Sequence, residues 1–416
     1  SLAAECTRRY YGFSSFVCVC DGTYCNFDGE NDPTIDATNV KVVKSSRDEF
    51  RNSVEVLPRQ DGTINSSDVN FSIFVNANDR RQDVIGFGGA FTDSASINIK
   101  SLTAEAQNNL MNMYFAKEGS RYNLVRVPIA GTDFSTHPYS YDDIEGDVDL
   151  VYFDLSEEDY NYKNWAFNTC GWTAEDMRDW IATVLGPTVS EAGYRRLKLL
   201  IDDFNRDTLP SYVIPIVEDA TAVEYVDGVA VHWYNDLYFS PDVLDQTHDI
   251  AVGKFILYTE ACIDPVSGFV ELGNWERGEQ YITDIIEDSN HWSTGWIDWN
   301  LALDLQGGPN WVSNFVDSPM IVNATANEFY VQPLYYALSH FSRNVQRGAT
   351  WVSSSIDQST NDLKVTAFEN PNGQIVVIIA NVAETAYDIG ILNENQQYIF
   401  KYNIAGKTWL SITYQR

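Results

Sequence analysis

Phe255-Ile256-Leu257-Tyr258-Thr259-Glu260 is an almost wholly apolar run that ends on a carboxylic acid. A carboxylate closing such a run is either desolvated at a cost or placed there for chemistry. Five further runs share the character: Val84 to Phe87, Asn123 to Ala130, Leu197 to Ile201, Gly228 to Trp233 and Gly295 to Leu303. Helical segments alternate with them. Thr173 to Leu185 is one, with Thr173 and Asp176 suited to an N-terminal cap and Met177, Trp180, Ile181, Val184 and Leu185 expected on one face. Short apolar runs separated by helices are the pattern of parallel strands buried on both faces. The expectation is an α/β barrel with six strands legible.

Outward from this middle the pattern changes. Asn70-Phe71-Ser72-Ile73-Phe74-Val75 alternates, as a half-buried strand does. Near the other end Leu363, Val365 and Ala367 alternate with polar neighbours, Asn370-Pro371-Asn372-Gly373 marks a turn, and Gln374 to Ala380 reads as the returning strand. The two β-rich ends are expected to pair as one sandwich. Residues 1 to about 30 form a Cys-rich cap with Cys6, Cys18, Cys20 and Cys25. An even, tight set suits two disulfides in an oxidising compartment. Zinc is the rival, although Cys18-x-Cys20 is not the usual knuckle and no His lies near. Cys170 and Cys262 stand apart as free thiols. Sequons at Asn65, Asn70 and Asn323 also point to the secretory route. The start at Ser1-Leu2-Ala3 reads as a processed mature form.

A formal net charge of -32 repels nucleic acid and anionic membranes at neutral pH. It suits either simple solubility or an acidic compartment. No apolar run approaches the ~20 residues of a membrane helix. The five His residues show no ligand spacing, so no metal or cofactor is expected. Gly86-Phe87-Gly88-Gly89 lacks the full dinucleotide fingerprint.

In a (β/α) barrel the reacting groups sit just past the C-terminal strand ends. Arg126 and Asp133, Asp202 and Asp203, His232 and Tyr234, Glu260, and Asp298-Trp299-Asn300 all occupy such places. Each has a plain structural reading too. Asp202 and Asp203 suit capping the next helix or pairing with an Arg. His232 could be a satisfied core histidine, Trp299 packing, and Arg126 a partner of Asp133. Aromatic rings beside carboxylates suggest a sugar, whose C–H faces stack on rings.

At this point the chain resembles a known family. Phe13-Ser14-Ser15-Phe16-Val17-Cys18-Val19-Cys20, Gly86-Phe87-Gly88-Gly89-Ala90, Arg126-Val127-Pro128, Ala230-Val231-His232-Trp233-Tyr234, Glu260-Ala261-Cys262, Asp298-Trp299-Asn300-Leu301-Ala302-Leu303, Gly307-Gly308-Pro309-Asn310-Trp311 and Asn314-Phe315-Val316-Asp317-Ser318-Pro319 look like the acid β-glucosidase (glucosylceramidase) family. The resemblance implies a (β/α)8 TIM-type barrel, a β-sandwich and a small disulfide-bearing β-domain. The expected divisions are 1–30 with about 302–334 for the small domain, 31–80 with 351–416 for the sandwich, and 81–301 with 335–350 for the barrel. The resemblance puts the nucleophile of a retaining β-glucosidase at Glu260. It sets Arg126, Asp133, His232, Tyr234, Trp299 and Asn314 around the glucose, and Trp165 and Phe167 at the mouth. It also implies glucosylceramide as substrate, a saposin-type activator and the lysosome.

One departure is large. The family carries its acid/base carboxylate in an Asn-Glu-Pro motif at the end of the fourth strand, and no Asn-Glu-Pro occurs in this chain. Glu157-Glu158-Asp159-Tyr160-Asn161-Tyr162-Lys163 runs directly into Asn164-Trp165-Ala166-Phe167. About two strands of the barrel are therefore expected to be lacking, in agreement with six apolar runs, and the chain is expected to be impaired as an enzyme. The alternative is a non-catalytic relative that binds sugar, lipid or activator.

Overall fold

The computed structural model describes residues 6–27, 32–145, 147, 151–161, 173–263 and 269–416. Six parallel strands form the central sheet: β1 (Gly86–Ala90), β2 (Leu124–Arg126), β3 (Leu200–Asn205), β4 (Gly228–His232), β5 (Phe255–Glu260) and β6 (Ser293–Asn300). Their spatial order is β2-β1-β6-β5-β4-β3. Each pair along that order is parallel. Among the described residues β2 and β3 are the two edges, and the chain from 127 to 199 runs between them. Strands β4 and β6 are buried along their whole length, which explains their apolar runs. Glycines let the strands close: a Cβ on Gly88 would stand 1.9 Å from the Leu124 carbonyl oxygen, and one on Gly295 2.0 Å from that of Gly86.

The strand ends differ from the sequence reading in one instructive place. The run expected to stop at Ile201 continues as β3 through Asp202 and Asp203, both at positive φ (76° and 53°), with a register shift against β4. The helix after Thr173 starts as expected, because the Thr173 hydroxyl accepts the Asp176 N–H at 3.1 Å. Ile181–Leu185 then winds as a π turn. That wider turn rotates Val184 off the expected buried face, and Val184 is exposed.

The chain ends combine in a nine-stranded sheet. Its order is Tyr398–Ile404, Tyr387–Leu392, Phe71–Asp83, Thr350–Ile356, Leu363–Glu369, Gln374–Asn381, Thr408–Gln415, Asn39–Ser46 and Ser53–Pro58. The hairpin at Asn370–Gly373 pairs Glu369 with Ile375. A third, five-stranded sheet joins Arg8–Tyr10 and Phe16–Asp21 to Glu328–Val331, Met320–Asn323 and Leu303–Asp304. Disulfides Cys6–Cys18 and Cys20–Cys25 tie its N-terminal strands. Cys262 is free and buried, while Cys170 lies outside the described residues. Asn65 and Asn70 are exposed, whereas the half-buried Asn323 gives its amide to the Tyr330 hydroxyl at 3.0 Å.

Two helices join the barrel to the nine-stranded sheet. They are α1 (Trp275–Asn290) and α2 (Pro333–Ser342). Trp275 of α1 stacks on Trp409 with ring centroids 3.8 Å apart, and both rings are fully buried. All ten residues of α2 are buried. His340 of α2 faces the sheet, with Nδ1 2.7 Å from Ser411 Oγ and Nε2 3.0 Å from Ser45 Oγ. Burial, reinforced by Arg343, pushes the imidazole pKa down to about 3. Below about pH 6.5 the unfolded chain takes up a proton that the folded ring refuses. Stability from this group is thus complete above 6.5 and falls by ~1.4 kcal/mol per pH unit toward about 3. Between pH 6.5 and 4.5 the parent should lose ~2–3 kcal/mol more than His340→Gln, measured by urea unfolding at each pH.

Candidate active site

Glu260 stands at the C-terminal end of β5 with both carboxylate oxygens held. Arg126 Nη1, from the end of β2, donates to Oε2 at 2.6 Å and also to the Thr259 carbonyl at 3.1 Å. The Tyr234 hydroxyl, just past β4, donates to Oε1 at 2.9 Å. His232 Nε2 lies 3.9 Å from Oε2. The Arg126 guanidinium sits over the Trp299 ring, 4.9 Å from its centroid. Arg126 therefore pairs with Glu260 rather than with Asp133, because β2 aims it across the sheet interior.

Asp133, from the loop after β2, is a second carboxylate close enough to feel the charge of Glu260. Its Oδ2 accepts the side-chain amides of Asn314 at 2.9 Å and Asn310 at 3.2 Å. Burial raises its pKa, the two amides oppose this, and the charge of Glu260 raises it further. Phe134 meets Trp299 edge-on at 6.3 Å, which ties the Asp133 loop to Trp299. The fold thus brings Arg126, His232, Tyr234 and Trp299 around Glu260, with Asp133 and Asn314 as a bonded pair beside them. Trp165 and Phe167 lie outside the described residues.

Tyr234 keeps its proton. Burial first, then Cys262 and Glu260, push its pKa well above the ordinary phenol. It is consequently a fixed donor to the carboxylate. Burial works against the Arg126 cation, but Asp203 and Glu260 outweigh it, and its pKa is raised.

Asp203 is the residue whose place in the site the sequence left open. Its Oδ1 accepts the Thr259 hydroxyl at 2.7 Å and lies 3.1 Å from His232 Nε2, and its Oδ2 takes Arg126 Nη2 at 3.3 Å. Burial tends to raise its pKa, yet His232, Arg126 and Thr259 hold it far below the usual carboxylate range. Asp202 behaves differently. Its Oδ2 accepts the Thr208 hydroxyl at 2.8 Å, and burial, only partly opposed by that bond, pushes it up to about 7. Asp203 pairs with an Arg as a strand-end carboxylate was expected to, and that Arg is the one on Glu260, whereas Asp202 bonds the Thr208 hydroxyl and neither caps the next helix nor pairs with an Arg among the described residues. Two adjacent acids on one strand were the available signal, since neighbours in a strand face opposite sides.

Known proteins supply first the class and then the family. The TIM-barrel domain of the glycosyl hydrolases matches in two pieces, residues 84–167 and 163–345, and the family's β-sandwich domain matches 348–412. The chain belongs to glycosyl hydrolase family 30. Putative glucosylceramidase 3 of Caenorhabditis elegans is 32% identical over 505 residues, covering 99% of this chain and 95% of the relative. The lysosomal acid glucosylceramidase of Mus musculus is 32% identical over 471 residues, covering 91% of this chain and 89% of the relative. In fold the chain is similar to SrfJ from Salmonella typhimurium, with a TM-score of 0.82 and 19% identity over 91% of this chain and 100% of that one. The endo-β1,6-glucanase BT3312 gives a TM-score of 0.78 and 20% identity at the same coverage.

Proposed function

We propose that this chain is built on the plan of a retaining β-glucosidase acting on glucosylceramide, with Glu260 as nucleophile, and that as written it lacks the acid/base carboxylate. The observation that carries the reading is the doubly held carboxylate of Glu260 at a barrel strand end. Arg126 and Tyr234 hold and aim it, His232 and Asp203 brace Arg126, and Asp133, Asn314 and Trp299 form the sugar wall. A lipid substrate fits the strand-end loops, where Phe204, Leu237, Tyr238, Phe269 and Trp311 are exposed on the same end as Glu260. No helix among the described residues is long and apolar enough to cross a membrane. On the same reading the substrate is met at a membrane surface, in the lysosomal lumen or outside the cell, with a saposin-type activator as partner.

Three observations support the loss of the acid/base segment. β2 and β3 are unpaired edges among the described residues. The barrel match breaks and restarts at 163–167. The alignment with the nematode relative spans 505 positions against 416 residues here, so at least 89 positions face nothing in this chain. The open sheet also favours the second reading, a non-catalytic sugar- or lipid-binding relative.

Leaving groups separate the two. Without general acid help, expulsion of a lipid alcohol is slower by ~10²–10⁴-fold, whereas dinitrophenolate needs no proton. A dinitrophenyl β-glucoside should therefore release about one equivalent of dinitrophenolate and leave the sugar on the enzyme, because the missing carboxylate would also have activated the water, while glucosylceramide should not react, by mass spectrometry of both reactions. Consumption of neither, with glucose still retained in a binding assay, establishes the non-catalytic reading. Rapid hydrolysis of the lipid would overturn the missing acid.

A further inference from the structure

A second concentration of charge lies where the loop after β4 meets α1. Arg206, the residue following β3, is fully buried. Its guanidinium reaches Asp288 Oδ1 at 2.7 Å, Asp236 Oδ2 at 2.8 Å and Glu287 Oε1 at 3.0 Å. The Tyr258 hydroxyl accepts its Nη2 at 2.9 Å and its Nε at 3.1 Å. One carboxylate oxygen from each of Asp236, Asp284 and Asp288 lies within 4.8 Å of the other two. The side chains of Asp236 and Asp288 are 4% and 1% exposed, while Glu287 is 44% exposed and left to solvent. One cation thus faces three carboxyl groups in a place that water hardly reaches, and two negative charges are left over whenever all three are ionised.

The hydrogen bonding points the same way. Both oxygens of Asp236 and Oδ2 of Asp288 are buried and accept no hydrogen bond, although Arg206 lies within ion-pair reach of Asp236 Oδ2 and bonds Asp288 Oδ1. A buried acceptor without a donor costs ~1–3 kcal/mol, more when charged. Asp236, Asp284 and Glu287 also line a cavity of about 730 Å³ that reaches the strands Thr350–Ile356 and Leu363–Glu369. An ion and its water therefore have room and a way in.

We propose that Asp236, Asp284 and Asp288 form a binding site for a hard divalent cation, with Ca²⁺ the best fit. All three ligands are oxygens, which excludes the softer metals. Oxygens within 4.8 Å of each other can share a centre at the ~2.3–2.6 Å of Ca²⁺–oxygen bonds. Ca²⁺ accepts irregular shells of six to eight oxygens, which cavity water can complete, whereas Mg²⁺ demands a near-ideal octahedron. Two positive charges balance the two that Arg206 leaves over. Asp236 follows Tyr234 by two residues, so the ion would clamp the loop that holds Glu260 to α1. The site does not depend on the glycosidase reading.

Terbium is a suitable probe, because Trp296 Nε1 lies 3.4 Å from Asp284 Oδ2 and an indole so close sensitises its emission. Full-chain protein titrated with Tb³⁺ should show saturable emission excited through tryptophan and displaced by Ca²⁺. Asp284→Asn and Asp288→Asn should each weaken the Ca²⁺ competition about tenfold or more. Asp242→Asn, in the exposed trio Asp242, Asp245 and His291, should leave it unchanged. In the unaltered protein, Ca²⁺ should raise the melting temperature, a readout that stands even where an Asp variant fails to fold. No Ca²⁺-displaced emission overturns the proposal, as does a signal lost in Asp242→Asn and kept in Asp284→Asn. An Asp284→Asn/Asp288→Asn double variant that melts above the parent, in a protein indifferent to Ca²⁺, would overturn it in favour of shared protons.

Discussion

Glu260→Gln should abolish covalent capture of an activated 2-deoxy-2-fluoro-β-glucoside. A carboxamide oxygen is too weakly nucleophilic to displace even a good leaving group, so the labelling rate should fall on the order of 10³-fold or more, ~4 kcal/mol of transition-state stabilisation. In the unaltered chain the label should appear on the peptide that contains Glu260, because among the described carboxylates at the C-terminal ends of the barrel strands it is the one held by both a cation and a phenol. The nearby acids are less able to attack. Asp203 is bound by Thr259, His232 and Arg126, and Asp133 by two amides on one oxygen. Circular dichroism should be unchanged, since Gln fills the same volume. A label on Asp203 or Asp133, or an undiminished rate in the variant, would move the nucleophile elsewhere.

Arg277→Met should cost ~3–5 kcal/mol of stability. Arg277 and Asp317 are an ion pair with side chains 3% and 0% exposed. The guanidinium also donates to the Phe269 carbonyl at 2.7 Å and lies 3.2 Å from Glu271. Asp317 accepts the Ser318 N–H at 2.9 Å and a Gln332 amide N–H. Burial already raises the Asp317 pKa, and Arg277 is the main influence that opposes it. Removing the cation therefore strands a charge in the interior. Arg277→Met combined with Asp317→Asn should recover part of the loss, because the pair rather than the packing is at stake. Urea midpoints of the two single variants and the double variant measure this. A single-variant loss under about 1 kcal/mol would contradict the ion pair's role.

The four inner central strands were legible because burial on both faces leaves an unbroken apolar run, as in Val229 to Val231 or Ile256 to Tyr258, whereas the edge strands β2 and β3 are partly exposed. Arg126 and Tyr234 stood out by their strand-end positions, but only the family resemblance set them around the nucleophile, since Arg126 alone could equally have paired with Asp133. Asp203 was ambiguous because its direction depends on backbone irregularity at Asp202 and Asp203, which side-chain alternation does not encode. Val184 was misassigned because a π turn breaks the 3.6-residue period. The Asp236, Asp284 and Asp288 cluster was missed, since only Asp284 and Asp288 share a segment, one turn apart on α1, while Asp236 comes from the loop after β4 and each looks like ordinary surface acid. Residues 206, 236, 284 and 288 meet only once the chain has folded.

The stacked indoles of Trp275 and Trp409 give the molecule a shared keel. Helix α1, which starts at Trp275, carries Arg277, and its Tyr281 hydroxyl donates to Asp298 at 2.6 Å, next to Trp299 beneath Arg126. A lesion at Trp409, in a strand that supplies none of the groups named around Glu260, therefore has a mechanical route to it. Loss of function in this chain should map onto distant β-strand residues as readily as onto the pocket itself.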